Sequence, residues 1–311
     1  MEKELCPICR SGPIGFKFTR DFHTKPNVTL EDLARHFDMD KDDVIDHINH
    51  HEMQIVTKNV NGIDKTNPHF VQGKEVSVIY DDGRHYIRTL PKDARFDVIT
   101  SDPIDPWVKG SAALNTIEYY EMCKRHLKPG GVMSLWMPLY ESNLASAKSL
   151  IATFFQVFPN GLIFSNDAQL EGYDAVLLGQ AEPSAINMDK LQQLLAQENY
   201  AQVRSSLLEV GFGSDNSWLG SYNQDIATSL FATFAGRASN LSDWTQNAQI
   251  NRDSNLRLQY LAGMYFNSYL STTILQNILS HYRFPQDLFV GSGQNIMNLK
   301  EALRYQGRWE K

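Results

Sequence analysis

The chain has 311 residues, 42% of them apolar and 21% charged, the make-up of an ordinary soluble globular protein with room for two domains, or one domain with appendages. Its 29 basic against 36 acidic residues give a net charge of -7, which speaks against a protein devoted to nucleic acid. No apolar run approaches the ~20 residues of a membrane span, no signal peptide is recognisable, and three cysteines make no disulfide framework, so a reducing cytoplasm is the expected setting.

Two of the three cysteines (Cys6, Cys9) and five of the nine histidines (His23, His36, His47, His50, His51) fall in the first 51 residues. That concentration points to a separate module over residues 1–55. Cys6-Pro-Ile-Cys9 is a C-x2-C pair and His47-Ile-Asn-His50 an H-x2-H pair, the kind of short spacing from which zinc draws two ligands at a time. The 37 residues between the pairs are more than a compact zinc finger uses. Between them, Thr29 can cap a helix over Leu30–Phe37, and after a turn at Asp38–Asp40 a second helix begins near Lys41. This reads as a helix-turn-helix unit. It resembles small bacterial and phage modules in which a Cys pair precedes such a unit ending in H-x2-H. The resemblance implies Zn2+ held by Cys6, Cys9, His47 and His50, with His51 able to replace His50; the competing reading is a metal-free helical hairpin. Residues 1–52 carry 7 Lys/Arg against 11 Asp/Glu, an excess that phosphate binding would have to overcome.

From about Val76 the pattern changes. "EVSVIYDDG" is a β-branched run ending in Asp81-Asp82-Gly83, and "FDVITSD" is a second. "HLKPGGVMSLWM" holds a helix end, a Gly-Gly turn and a third run, with a helix expected over Thr116–Leu127. Strands alternating with helices predict a parallel sheet with right-handed crossovers, whose ligands bind beyond the carboxyl ends of the strands. Asp82, Asp102 and Asp105 all stand at such ends. Read alone, the Asp-Pro pairs of "ITSDPIDPW" could equally be turn openers.

"VIYDDGRHYI", "FDVITSDPIDP", "EYYEMCKRHLKPGGV" and "FFQVFPN" resemble, in order and spacing, the second half of the spermidine synthase (polyamine aminopropyltransferase) domain. The nearest variety is the one fused to a bacterial membrane transporter-like segment, to which "INRDSNLRLQYLAG" is also similar. The resemblance runs from about Asn59 to the C-terminus. It implies a Rossmann-like, methyltransferase-type fold, and it places Asp102 as the base that deprotonates the attacking amine. It also places Asp105 as the acid that holds the polyamine ammonium and Asp82, with Gly83, at the adenine of decarboxylated S-adenosylmethionine. A homodimer is implied as well, since family members dimerise.

The chain departs from the family upstream. No Gly-rich G-x-G loop follows a first strand; the glycines before Val76 are Gly12, Gly15, Gly62 and Gly73, none in such a loop. "VGFGSDNS" at Val210 lies far downstream, with no strand ahead of it. Trp136 stands where a glutamine is common. At the place of the family's tyrosine is Gln169, with Tyr173 a few residues on, so Tyr173 is the candidate substrate contact. Residues 184–311 read as mostly helical: "MDKLQQLLAQ", "YAQVRSSLLEVG" with Gly211 as C-cap, and two helices within 255–282. Asp253, Arg257 and Tyr260 are expected to be structural.

The expected architecture is therefore α/β: a partial doubly wound, Rossmann-like parallel sheet over 59–183 that lacks the first strands and the Gly-rich loop. A helical region follows over 184–311, and a small α-helical module precedes it over 1–55. The expected activity is aminopropyl transfer to an amine, reduced or lost for want of the nucleoside-binding loop. The alternative is a non-catalytic, zinc-containing binding or regulatory protein on a remnant scaffold. A methyltransferase of the same fold fits less well, because paired acids suit a cationic acceptor.

Overall fold

The computed structural model describes residues 35, 79, 81–103, 105–168, 171–213, 225–264 and 270–309. The chain divides into two compact units, Met1–Tyr80 and Asp81–Lys311. Cys6, Cys9, His47, His50, the Gly-poor stretch before Val76 and most of "EVSVIYDDG" lie outside the described residues. Arg35, within the expected first helix, is helical and exposed.

The strands of the second unit are β1 (Phe96–Ser101), β2 (Leu127–Pro138), β3 (Leu162–Ala168), β4 (Glu171–Gln180), β5 (Ile186–Asn187), β6 (Phe234–Arg237) and β7 (Phe289–Val290). Five of them form a sheet in the order β1-β2-β4-β3-β6, and β5 pairs with β7 in a short parallel ribbon. β1 and β2 are parallel neighbours, joined through the helix Ile117–Arg125. The fold is thus mixed α/β with a parallel-containing central sheet, as the alternation of strand and helix implies. β4 departs from pure parallel order. Two residues separate it from β3, a connection that allows only an antiparallel hairpin, and β4 then lies between β2 and β3, antiparallel to both. β1, β2 and β3 consequently run the same way, with β4 and β6 against them.

β2 shows how the sequence chooses its faces. Met133, Leu135 and Met137 are almost wholly buried, while Val132, Ser134 and Trp136 between them are only half-buried. Alternate residues point to opposite faces, so the first set meets the helices and the second faces the other way. The helix Leu144–Val157 covers the core face with Leu150, Ile151 and Phe154. It starts at Asn143, whose side chain accepts from the Ala145 and Ser146 amides while Ser146 accepts from the Asn143 amide, a capping box. The helix Ile117–Arg125 adds Tyr119, Tyr120 and Cys123, with Thr116 accepting the Tyr119 amide at its start. Burial pushes the Cys123 thiol up to about 11, so it is an inert core group.

A second core lies under the C-terminal helices, where Leu162, Phe234, Tyr282, Phe289 and Leu299 meet. The helix Ala201–Glu209 ends as its sequence predicts. Gly211 has φ +97°, its amide donates to Leu208 O (3.0 Å), and the Phe212 amide donates to Leu207 O (2.8 Å), which is a Schellman closure. The two helices expected within 255–282 are Arg257–Gly263 and Ser271–Leu279. Among the described residues, no helix is long and apolar enough to cross a membrane.

Candidate active site

The chain leaves β1 at Ser101 and enters the acidic turn. Asp102 is exposed, Pro103 and Pro106 are buried, and Asp105 is half-buried. The turn closes through the Val108 amide donating to Asp105 O (3.0 Å) and the Ser111 amide to Val108 O (3.1 Å). Gly110, at φ +91°, then admits the chain to the short 3-10 helix Ser111–Asn115, a backbone region that disfavours side chains with a Cβ. Both acids therefore stand beyond the carboxyl end of a strand that has a parallel neighbour.

Burial raises the Asp105 pKa, and the nearby charge of Asp102 adds to the rise. Backbone hydrogen bonding and the Tyr140 hydroxyl act in the opposite sense. One oxygen of Asp105, Oδ1, is buried without a hydrogen-bond partner. Such a group costs free energy unless something in the working protein satisfies it.

β2 ends beside this turn, and its continuation brings aromatic groups to it. Leu139 and Tyr140 both direct their amides to Tyr173 O (3.2 Å each), which fixes the start of β4 against the end of β2. The Tyr140 and Tyr173 rings lie 4.9 Å apart at 36°, and Trp136 lies 6.0 Å from Tyr140. Trp136 Nε1 donates to Asp174 Oδ2 at 3.0 Å. Burial first, and then the nearby carboxylates of Asp105, Asp174 and Glu141, push the Tyr140 hydroxyl up to about 12. Tyr140 therefore stays protonated.

No ion pair among the described residues involves Asp102, Asp105 or Asp174. This end of the sheet thus gathers Asp102, Asp105 and Asp174 with the rings of Trp136, Tyr140 and Tyr173, a combination of acids and aromatic faces that suits an organic cation.

Asp82 and Gly83 stand at the start of the helix Gly83–Thr89. Asp82 caps it, accepting the His85 amide through Oδ1 at 2.8 Å. Asp81 bonds His85 Nδ1 at 2.7 Å. No described hydrogen bond or ion pair links Asp82 to Asp102 or Asp105. Of the residues singled out from sequence, Asp102, Asp105 and Tyr173 come together, while Asp82 and Gly83 form a separate station at the first helix.

Three participants were not picked out as site residues from sequence: Tyr140, Asp174 and Asn251. Asn251 is fully buried; its Nδ2 donates to Ala112 O (2.8 Å) and Asn115 O (2.9 Å), and its Oδ1 accepts the Leu258 amide (3.0 Å). It fixes the segment that follows the acidic turn. Arg84 braces the same segment, donating to Ala113 O and Thr116 Oγ1 and pairing with Asp253, so Asp253 has the structural part expected of it.

A cavity of about 550 Å3 opens at the opposite end of the strands, with Asn160, Gln180, Ser184 and Arg237 in its wall. Its cation is already engaged, since Arg237 Nη1 contacts both oxygens of Asp287 at 2.8 Å, and it contains none of the acids above. Among the described residues no cluster of three or more His, Cys, Asp or Glu is placed to hold a metal ion.

Residues 29–164 match the spermine/spermidine synthase domain family. The match includes the acidic turn, β2 and the helix Leu144–Val157, and it begins upstream of Asn59, taking in the stretch read from sequence as the helical hairpin. Among solved structures, the crystal structure of a probable spermidine synthase from Corynebacterium glutamicum ATCC 13032 is similar at 21% identity and a TM-score of 0.34, over 56% of this chain and 52% of that one. The chain thus spans about half the length of that protein.

Proposed function

We propose that this protein is an aminopropyltransferase-like enzyme in which the Asp102–Asp105 turn takes up a polyamine. The supporting observation is the pair of acids beyond β1, without a cationic side-chain partner among the described residues and bordered by Tyr140 and Tyr173, within a synthase-family match. An alkylammonium has a pKa near ~10.4 and must lose a proton before its nitrogen can attack. Asp102, exposed at the mouth, accepts that proton, while Asp105 holds the cation in line. The amine lone pair then forms a C–N bond to the aminopropyl carbon of decarboxylated S-adenosylmethionine. The C–S bond breaks, its electron pair stays on sulfur, and methylthioadenosine leaves neutral. Asp82 and Gly83 are assigned to the adenine end of that co-substrate.

The absence of a Gly-rich loop in the sequence predicts weak nucleoside binding. Each lost hydrogen bond is worth about 0.5–1.5 kcal/mol, so five would cost roughly two to five orders of magnitude in affinity. Calorimetric titration with decarboxylated S-adenosylmethionine and with methylthioadenosine tests the reading, together with methylthioadenosine release by wild type and Asp102→Asn. Weak but measurable binding that falls further in Asp82→Ala, with turnover abolished in Asp102→Asn, is the expected result. No heat at millimolar ligand would refute it and favour the non-catalytic alternative.

Two further parts of the proposal rest on sequence. Cys6, Cys9, His47 and His50 would bind one Zn2+; less than about a tenth of an equivalent by metal analysis, after preparation without chelators, would exclude it. The chain would also form a homodimer, and a clean monomer at tens of micromolar by light scattering would count against that.

A further inference from the structure

We propose that the cavity at the start of β3 is a second binding site, which takes a small zwitterion of the α-amino-acid type. The ligand's carboxylate would lie on Arg237, its ammonium beside Asp287 and Gln180, and an apolar side chain against Pro159, Leu162 and Leu288. The cavity lies at the opposite end of the strands from the acidic turn, so the inference does not rest on the aminopropyl reading.

Three strand ends build the cavity. β3 begins at Leu162, β4 finishes at Gln180 and β6 finishes at Arg237, and Leu162 lies opposite Arg237 in register. The segment before β7 adds Asp287 and Leu288 to the wall, held there by the Ile186 amide donating to Leu288 O (2.6 Å). The space is about 550 Å3, within the roughly 300–1,000 Å3 of small-molecule sites.

The polar groups of the wall select the ligand. Arg237 spends only Nη1 on Asp287. Its Nε is buried without a hydrogen-bond partner, and so is Asn240 Oδ1 on the 3-10 turn that follows β6. These are two of the four such atoms among the described residues, and a buried polar atom left unpaired calls for a partner. Nε and Nη2 share the edge of the guanidinium through which arginine takes a carboxylate by two parallel bonds, and no described hydrogen bond occupies that edge. An anion alone would also meet Asp287, whose side chain is 74% exposed and whose carboxyl the Arg237 hydrogen bond holds below its ordinary value. An ammonium next to the ligand's carboxylate turns that repulsion into attraction. Gln180, 6% exposed, gives its Nε2 to Ser184 O (3.1 Å), which leaves Oε1 to accept from the same ammonium. One fixed cation and one fixed anion side by side thus match a ligand that carries both charges close together. A simple acid or a simple amine would leave one of them unused.

Isothermal titration of the full chain with L-leucine, L-methionine and L-phenylalanine tests the site. At least one is expected to bind with millimolar or tighter affinity. Its N-acetyl derivative, which keeps the carboxylate and loses the positive charge, should bind at least about tenfold more weakly. Arg237→Gln and Asp287→Asn should each weaken the amino acid by at least about tenfold, with the near-ultraviolet circular dichroism unchanged, whereas Asp105→Asn should leave its binding as in wild type. No heat from any of the three at millimolar concentration would overturn the inference. Equal binding of the N-acetyl derivative would overturn it too, by showing a site for acids alone. Binding that survives in Asp287→Asn but is lost in Asp105→Asn would put the ligand at the acidic turn and refute the placement. None of these failures touches the aminopropyl reading, which has its own titration.

Discussion

Replacing Asn251 by alanine should be among the most damaging single changes to the second unit. The backbone bonds of Asn251, from its amide to Thr153 Oγ1 (2.9 Å) and from the Ile117 amide to its carbonyl (3.1 Å), survive the substitution. The three side-chain bonds do not. Their loss leaves the Ala112 and Asn115 carbonyls and the Leu258 amide short of a partner in a fully buried place. A net bond is worth about 1 kcal/mol, and a buried polar group left unsatisfied costs about 1–3 kcal/mol. A total of about 3–5 kcal/mol follows, a large part of the ~5–15 kcal/mol by which domains are stable. For a unit of this size each kcal/mol lowers the melting temperature by about 2–4 °C, so a fall of roughly 6–20 °C is expected. Urea denaturation at 25 °C followed by tryptophan fluorescence measures the loss directly. Asn251→Asp keeps the acceptor for Leu258 but turns a carboxylate toward two carbonyls, and it should fare no better. Amine binding should also weaken in the alanine variant, because the anchored segment continues directly from the Asp102–Asp105 turn. A loss under about 1 kcal/mol with the fold intact would refute the reasoning.

Arg308 is 2% exposed, and its guanidinium donates to both Asp167 oxygens (3.0 and 2.6 Å) and to Ser165 Oγ (2.6 Å). Arg308→Met should cost about 3–5 kcal/mol by stranding a buried carboxylate, and the double change with Asp167→Leu should recover most of it; equal losses in single and double variants by urea denaturation would contradict this. Asp105, with its raised pKa, disfavours folding as it ionises. The sign follows: stability from this group is full below the ordinary carboxylate value of 3.8 and is lost as pH rises through the higher folded value. Asp105→Asn should therefore be more stable than wild type at pH 7, with the gap narrowing toward pH 4 in paired urea titrations, while amine binding falls; a gap that widens on acidification would reverse the assignment. A Cβ at Gly179 would come within 2.5 Å of the Phe158 ring. Gly179→Ala should thus lose about 1–3 kcal/mol, and a thermal midpoint unchanged from wild type would show that the ring has room to move.

What could be read from sequence depended on how local the signal was. The β-branched run Phe96–Ser101, Thr116 as the start of a helix and Gly211 as its counterpart at a helix end each involve contacts within a few residues, and each is where the pattern puts it. The Gly-Gly pair instead lies within β2, where the register with β1 shifts. The acids of the turn were legible for a related reason: once β1 and β2 are parallel, the loop after β1 must lie at the ligand-binding edge. β4 was less legible. An alternating strand has the same two-residue period whether it runs with or against its neighbour, so "EGYDAVLLGQ" does not reveal that it doubles back between β2 and β3. That insertion puts Tyr173 and Asp174 beside Tyr140 and Trp136, more than 30 residues away in sequence. Asn251 was hidden differently. The stretch "INRDSNLRLQYLAG" draws attention to its charged members, yet Arg257 pairs locally with Gln249 and Tyr260 is 63% exposed. A neutral amide carries the buried bonds, because it can donate twice and accept once without bringing a charge out of water. The same physics separates the two kinds of acid in this unit. Asp167 is buried with an arginine and belongs to the scaffold, whereas Asp102, Asp105 and Asp174 have been given no cation of the chain among the described residues. That contrast, a deep carboxylate fully paired and three others at one end of the sheet without a described counter-charge, is what the proposed cation site is argued from.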